Sequence, residues 1–207
     1  MIRARGLERR FGAKRVLAGL DLDVEEGGFL LVTGRNGSGK STLLALCAGL
    51  LAPTGGTLEV AAERGEIGYL AHEPLVYREL TALENLDLYG RLYRVPERRE
   101  RIGMLLERFG LWDVRHERVG DFSRGMAQRL ALCRTLLHEP RLLLLDEPYA
   151  SLDAAGASLL DEELAAVSPG LSPTHGPPGQ ERARTCVVAT HDPARLDGLL
   201  TAELALA

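Results

Sequence analysis

The 207-residue sequence has few of the features that mark several large classes of protein. Its three cysteines, Cys47, Cys133 and Cys186, have no paired spacing, which excludes a disulfide framework and a CxxC metal site and predicts buried thiols. The formal net charge is −4, so basic residues are not in excess over acidic ones, which argues against non-specific nucleic-acid binding. No apolar run reaches about 18 residues, so no membrane-spanning helix is predicted. The arginine-containing N-terminus also does not resemble a secretory signal.

Lysine is nearly missing as well. Of the 25 basic residues, only Lys14 and Lys40 are lysines and the rest are arginines. A GC-rich coding sequence explains the bias, and a protein that avoids lysine nevertheless keeps Lys40. The length predicts one domain over residues 1–207, with room for an inserted subdomain.

Strand and helix patterns alternate along the chain, which is typical of an α/β fold with a parallel sheet. Partly alternating apolar residues predict a hairpin over 2–7 and 16–24. Short apolar runs predict the further strands 29–32, 57–60, 66–70, 141–146, 186–189 and 202–206. Helices are predicted at 41–51 and 155–167, with a helical insertion over about 73–140 and a surface loop at 168–180. We expect His116 and His138, which flank helices among charged residues, to be solvated.

A glycine-rich segment between a buried strand and a helix fits the pattern G-x-x-x-x-G-K-[ST]. Its residues are Gly34, Arg35, Asn36, Gly37, Ser38, Gly39, Lys40, Ser41 and Thr42. Glycines allow successive backbone N–H groups to face one anion, and the following helix adds its positive end. Lys40 is expected to reach the β- and γ-phosphates of a nucleotide, and the Ser41 hydroxyl to ligate Mg²⁺. We call residues 34–42 the glycine loop.

Two acids follow the apolar run that ends at Leu145. Asp146 is expected to organise Mg²⁺, normally through water, because an acid at the end of a strand beside a phosphate loop has that position. The next residue, Glu147, would point toward the γ-phosphate and polarise the attacking water. A pair of solvated acids is the simpler explanation when the motif is taken alone, and the glycine loop favours the functional one.

Inside the helical insertion, Ser123 is placed as the N-cap of a helix that Pro140 ends. Met126, Leu130, Cys133 and Leu137 are spaced by four, three and four residues and so share one helix face. The start of this helix offers free N–H groups to an anion. By no simple geometry would a phosphate bound to the glycine loop of the same chain reach this helix start. We therefore expect the phosphate to be bound by a second copy of the chain.

Together these residues resemble the ATP-binding subunits of ATP-binding cassette (ABC) transporters, and the resemblance spans essentially the whole chain. The glycine loop is similar to the Walker A motif, residues 142–147 to Walker B, and residues 122–126 to the signature segment. The resemblance also assigns roles to three further residues. Phe11 would stack on adenine, Asp153 would belong to the D-loop, and His191 would be the switch histidine that contacts the γ-phosphate and Glu147.

Two motifs, the signature and the Q-loop, depart from the family pattern. In the signature, Ser123 and Gly125 are retained, whereas Arg124 replaces a glycine and Met126 a glutamine. Arg124 would add positive charge near the phosphate, or else point to solvent. His72 stands where the family has the Q-loop glutamine, and it would donate to a Mg²⁺-bound water or ligate the metal.

The resemblance implies a P-loop NTPase (RecA-like) core with an N-terminal antiparallel β subdomain and an inserted α-helical subdomain. It also implies ATP and Mg²⁺ as ligands, and a nucleotide-sandwich dimer with a second cassette, expected to be a homodimer. Separate transmembrane permease subunits would dock on residues from His72 to about Tyr93. The chain would lie at the cytoplasmic face of the membrane, contacting it only through partners, without binding nucleic acid.

Residues 69–74, 79–86 and 122–126 are similar to the heme exporter ATPase of cytochrome c maturation. An ATPase of another small exporter, for a drug, lipid or antibiotic, is the main alternative. A soluble cassette that acts on ribosomes or DNA is a further one, although such proteins usually carry two cassettes. A degenerate nucleotide-binding regulator is disfavoured, because Lys40, Asp146, Glu147 and His191 occur together.

Overall fold

The computed structural model describes residues 1–166 and 183–206. Strands β1 (Ile2–Phe11) and β2 (Lys14–Val24) form an antiparallel hairpin, and β4 (Gly55–Val60) pairs with the other edge of β1. This sheet confirms the predicted N-terminal hairpin and shows longer strands than predicted. The pairing continues to Phe11 and Lys14, because Gly12 adopts a φ of +57° and closes a two-residue turn.

The second sheet has five strands in the order β5-β6-β7-β3-β8, and all of its neighbouring pairs are parallel. Its strands are β3 (Phe29–Gly34), β5 (Ile67–Leu70), β6 (Leu142–Asp146), β7 (Thr185–Ala189) and β8 (Ala202–Leu206). Five of the predicted strands correspond to the strands of this sheet, with β5 and β6 each beginning one residue later than predicted, and the sixth, 57–60, lies in β4. The α/β class with an antiparallel N-terminal sheet and a parallel sheet is confirmed.

Both faces of the parallel sheet are covered, which explains why its strands are continuously apolar. Along β6, Leu142 and Leu144 pack into a core shared with the antiparallel sheet and α1 (Lys40–Cys47). Leu143 and Leu145 point to the opposite face and pack into a core formed with the remaining helices. One strand with period-two side chains thus belongs to two hydrophobic cores. The three cysteines are buried and free within these cores, as predicted.

Three helices lie between β5 and β6 in the segment predicted to be helical. They are α2 (Ala82–Leu92), α3 (Arg98–Arg108) and α4 (Arg124–Leu136). A capping box starts α2, since Thr81 Oγ1 accepts from the Glu84 N–H at 3.1 Å and Glu84 Oε2 accepts from the Thr81 N–H at 2.8 Å. No described helix is long and apolar enough to cross a bilayer.

Two predicted helices have different limits in the structure. The helix predicted at 41–51 is α1, which ends at Cys47, because Gly49 adopts a φ of +68° and its N–H bonds the Leu46 carbonyl at 3.0 Å. The helix predicted at 155–167 is α5 (Ala154–Ala165), capped by Asp153, whose carboxylate accepts from the Gly156 N–H at 2.8 Å. The predicted end at 167 and the loop at 168–180 lie outside the described residues.

The packing of α4 against β5 depends on a glycine and a buried arginine. A side chain at Gly68 would meet the Thr135 carbonyl oxygen at 2.8 Å, so only glycine permits this approach. Arg134 of α4 donates to the Tyr69 carbonyl at 2.6 Å and lies over the Tyr89 ring. The helical segment is thereby tied to the end of β5, three residues before His72.

The prediction that His138 is solvated is wrong, whereas His116 is exposed as predicted. The His138 ring stacks on Tyr93 with ring centroids 4.0 Å apart, and Nε2 lies 3.1 Å from the Ile67 carbonyl oxygen. The pKa of His138 is lowered to about 4, mainly by burial and also by the nearby cations Arg134 and Arg184, against the raising effect of the Ile67 hydrogen bond. The charged neighbours in the sequence did not reveal this position, because it results from contacts with β5 and α2.

We expect His138 to make the fold acid-sensitive. Between pH 6.5 and about 4 the unfolded chain binds a proton at this histidine while the folded protein does not, so the free energy of unfolding falls as the pH falls. At about 1.4 kcal/mol per pKa unit, this shift corresponds to a loss of at most about 3.5 kcal/mol. Urea unfolding at several pH values should show a smaller loss for His138→Gln than for the wild type. Equal losses in the two proteins would refute this assignment.

Candidate active site

The site lies at the carboxyl ends of the parallel strands. Because β5, β6, β7 and β3 are neighbours in the sheet and run in one direction, the residues that follow them meet at one edge. These residues are His72 after β5, Asp146 and Glu147 at the end of β6, His191 after β7, and the glycine loop after β3. The topology therefore brings together segments that are up to 157 residues apart, counted from Gly34 to His191.

The glycine loop has a backbone that other residues adopt poorly. Gly34 and Gly39 have φ values of +146° and +105°. A side chain at Gly34 would also meet the Leu206 carbonyl oxygen and Ser38 Oγ at 2.5 Å. Gly39 immediately precedes α1, so the loop directs the first free N–H groups of that helix toward the same edge of the sheet.

Lys40 extends back across the loop. Its side-chain ammonium donates to the Gly34 carbonyl at 2.8 Å and lies 3.5 Å from the Arg35 carbonyl oxygen, and the residue is 7% exposed. The loop is thus closed by its own lysine, which holds a positive charge beside the free N–H groups of the loop and α1. This arrangement suits a bound polyphosphate.

Asp146 is 2% exposed, and burial raises the pKa of its carboxyl group. The Ser41 side chain, His72 and Lys40 oppose this shift, while Glu147 adds to it. Asp146 Oδ2 and Ser38 Oγ are buried, and neither has a hydrogen-bond partner in residues 1–166 or 183–206. Unpaired buried oxygens are costly, so their presence at this edge indicates a ligand that satisfies them.

The residues fit a bound Mg²⁺ with phosphate. Mg²⁺ is usually held by one or two protein oxygens, completed by substrate phosphates and water. Asp146 Oδ2 is such an oxygen, and Ser41 is next to it. Within the described ranges, no group of three or more His, Cys, Asp or Glu side chains forms a metal site by itself. The phosphates of a nucleotide and water would complete the coordination of a cation here.

Glu147 is held toward β7 in an unusual backbone conformation. Its φ of +48° is uncommon for a residue with a side chain, and its N–H donates to the Ala189 carbonyl at 2.8 Å. The carboxylate oxygen Oε2 accepts from Thr190 Oγ1 at 2.9 Å and lies 2.9 Å from His191 Nδ1. The two residues that the resemblance to ABC subunits pairs are therefore in direct contact. Thr190, not selected from the sequence, is a second partner of the carboxylate.

A cavity of about 490 Å³ adjoins these groups and we call it the central cavity. Its lining includes six residues of the glycine loop together with His72, Asp146, Glu147 and His191. Lys14 and Val16 of β2 also line it, and sequence reasoning missed them. The scarcity of lysine could have pointed to Lys14 as a site residue, because the two lysines of the sequence, Lys14 and Lys40, line the same cavity.

Several predicted site residues do not line the central cavity. Phe11 is 45% exposed at the hairpin end, paired in register with Lys14, and the Arg9 guanidinium lies 4.5 Å from its ring centroid. Ser123 and Arg124 are exposed at the start of α4, where Ser123 Oγ accepts from the Met126 N–H at 3.2 Å as predicted for an N-cap. Gly125 packs on the Ser151 carbonyl, and Asp153 caps α5.

The family model of ABC transporters matches residues 17–150, which span the glycine loop, the signature segment and both acids after β6. The chain belongs to the ABC transporter family. Among curated ABC relatives, the uncharacterized ATP-binding protein YxlF of Bacillus subtilis is 40% identical over 75% of this chain and 55% of its own length. The daunorubicin resistance ATP-binding protein DrrA3 of Streptomyces coeruleorubidus is 41% identical over 73% of this chain and 51% of its own.

Other ABC relatives are named for different functions. The aliphatic sulfonates import ATP-binding protein SsuB of Rhodopseudomonas palustris is 35% identical over 92% of this chain and 65% of its own. The chain spans about half the length of the curated relatives it first matches. A solved ABC cassette, MJ0796 as a post-hydrolysis dimer bound to ADP and Pi, has a TM-score of 0.79 and 26% identity and covers 94% of this chain. This chain covers 90% of that cassette.

Proposed function

We propose that this chain is the ATP-hydrolysing subunit of an ABC transporter and drives movement of separate membrane subunits. The observation that carries the proposal is the central cavity, where Lys40, Asp146, Glu147 and His191 meet. A cavity with a cationic loop on one side and carboxylates on the other suits a nucleoside triphosphate with its cation. The matching ABC family model and the MJ0796 cassette support the same activity.

In this proposal Glu147 orients the attacking water and accepts its proton. Water attacks the γ-phosphorus, the bond from that phosphorus to the β–γ bridging oxygen breaks, and ADP and phosphate leave. Lys40 and the N–H groups of the glycine loop neutralise the phosphate charge, while His191 contacts the γ-phosphate and Glu147. Asp146 and Ser41, with His72 beside them, would hold Mg²⁺, whose positive charge would offset that of the phosphates.

The signature segment supports a head-to-tail dimer. Ser123, Arg124 and Gly125 lie outside the central cavity of their own chain, although Ser123 begins a 13-residue helix. In a head-to-tail pair, each Ser123 would face the phosphates bound by Lys40 of the other copy, with adenine on Phe11. The MJ0796 cassette was solved as a dimer, which supports this arrangement.

The membrane subunits are proposed to dock on residues from His72 to about Tyr93, at the cytoplasmic face of the membrane. Asn85 is buried and binds the Tyr77 backbone through both its amide oxygen, at 2.8 Å, and its amide nitrogen, at 2.9 Å. These bonds give the segment after His72 a defined shape. A movement of this segment would therefore be transmitted to the central cavity through His72.

For the cargo, we propose heme export in cytochrome c maturation, which rests on the sequence similarity at 69–74, 79–86 and 122–126. Export of a drug is the second candidate, and the 41% identity to DrrA3 favours it. The similarity to the sulfonate import protein bears on the direction of transport. A test of the cargo must therefore include import as a possible outcome.

Partner capture tests the function and separates the cargo candidates. Glu147→Gln, expressed in the native host, would be solubilised gently with ATP present, and copurifying proteins identified by mass spectrometry. Small membrane proteins of cytochrome c maturation would support heme export. A different permease would keep the ATPase and replace the cargo. Ribosomal or DNA-bound partners without a membrane protein would overturn the transporter assignment. Lys40→Ala is the matched control, because it should fail to form the ATP-dependent assembly.

A further inference from the structure

One carboxylate on α5 holds two segments that flank the proposed catalytic pair. Asp161 Oδ1 accepts from the Tyr149 hydroxyl at 2.7 Å, and Asp161 Oδ2 accepts from Arg195 Nη1 at 2.7 Å. The Arg195 guanidinium also lies 5.6 Å from the centroid of the Tyr149 ring. We call Tyr149, Asp161 and Arg195 the Asp161 bridge. Burial and the neighbouring Asp161 raise the pKa of Tyr149, so its hydroxyl remains a donor.

The sequence positions of the bridge residues relate it to hydrolysis. Tyr149 comes two residues after Glu147, and Arg195 comes four residues after His191. Glu147 and His191 are themselves in contact through Oε2 and Nδ1 at 2.9 Å. The bridge therefore joins the two segments at a second point, through the middle of a rigid helix.

The segment that carries His191 packs into the core at Leu196, but His191 itself borders open space. A cavity of about 490 Å³ lies between the two segments, lined by Glu147, Tyr149, His191 and Arg195 among others. The His191 side chain is 71% exposed. Thr190 Oγ1, on one side of His191, donates to Glu147 Oε2 at 2.9 Å, and the Asp161 bridge attaches the segment at Arg195, on the other side of His191.

We propose that Asp161 is a positioning residue for ATP hydrolysis. By attaching Tyr149 and Arg195 to α5, it keeps His191 Nδ1 at hydrogen-bond distance from the Glu147 carboxylate. The inference rests on the proposed roles of Glu147 and His191. A displacement of about 1 Å in a catalytic group can slow a reaction by about 100-fold, so a modest contact can have a large kinetic effect.

A purely structural role would give a different result. The side chains of Asp161 and Arg195 are 37% and 46% exposed, and an ion pair of that exposure contributes little to stability. Removing the bridge should therefore leave the fold and ATP binding intact and lower the rate of hydrolysis. The kcat should therefore fall, while the KM for ATP should stay nearly unchanged.

The test compares Asp161→Ala and Asp161→Asn with the control Glu162→Ala. Glu162 is the next residue of α5, and its ion pair with Arg108 at 3.5 Å is remote from the bridge. Asp161→Ala should lower kcat about tenfold with KM changed less than about twofold. Asp161→Asn should be intermediate, because its amide oxygen still accepts from Tyr149. The control should match the wild type, and all melting temperatures should agree within a few degrees.

A second background makes the result specific to His191. With enzyme in excess over labelled ATP, Asp161→Ala should lower the hydrolysis rate no further once His191 is alanine. Equal losses in both backgrounds, or an unchanged kcat in the single variant, would overturn the inference. If His191→Ala itself leaves the rate unchanged, the proposed function of the pair fails. If it lowers the rate while Asp161→Ala does not, only the bridge proposal fails.

Discussion

Glu147→Gln is expected to lower the rate of ATP hydrolysis by about 100- to 10,000-fold, the usual contribution of a positioned general base. Glutamine has the same shape as glutamate. In the wild type, Thr190 Oγ1 donates to the Glu147 carboxylate at 2.9 Å, and the amide oxygen of glutamine can accept the same hydrogen bond. The neighbouring geometry should therefore persist, while the group that takes the proton of water is lost. Phosphate release measured with purified protein gives the rate.

Binding should survive in the same variant. The affinity for ATP, measured by titration calorimetry, should stay within about threefold, because Glu147 is not among the groups that hold the phosphates in this proposal. With ATP uncleaved at the interface, size-exclusion chromatography should show a persistent dimer. Glu162→Gln, an exposed change on α5, is the charge-matched control and should hydrolyse normally. Wild-type hydrolysis by Glu147→Gln would remove Glu147 from the role of base.

Lys40→Ala is expected to cause the second large effect, a loss of nucleotide affinity. The ammonium is nearly buried and lies within the glycine loop, where it donates to the Gly34 carbonyl at 2.8 Å. A hydrogen bond to a charged group contributes about 1.5–3 kcal/mol. At about 1.4 kcal/mol per factor of ten, the dissociation constant should rise about 10- to 100-fold.

Lys14→Ala is the matched control for this change. It removes one positive charge from the same central cavity, but Lys14 is exposed on β2 and the loop carbonyls of Gly34 and Arg35 are contacted by Lys40. Its dissociation constant should rise less than about threefold, since an exposed charge interacts weakly through water. Equal losses in the two variants would mean that net charge, not the position of Lys40, determines affinity. An unchanged affinity in Lys40→Ala would contradict the phosphate-loop assignment.

Features that depend on neighbouring residues were predictable from the sequence. The glycine loop is recognisable because its backbone needs glycine at fixed positions, as the φ values of Gly34 and Gly39 show. The apolar run of β6 predicted a strand, and its leucines are buried in the two cores. Ser123 was predictable as an N-cap because the bond it makes spans only three residues. Helix ends were less accurate, since a single glycine at 49 moved one of them.

The tertiary structure decided which distant groups meet. The contact of Glu147 with Thr190 and His191 spans more than 40 residues and exists because β6 and β7 are neighbours in the sheet. Similarly, the placement of Lys14 beside the glycine loop and the burial of His138 against β5 depend on how separate segments pack. The sequence by itself determined the local chemistry, meaning the glycine loop, the strands and the acids at their ends. Only the fold could bring these groups into one cavity, because strand order and helix packing result from contacts between residues far apart in the chain.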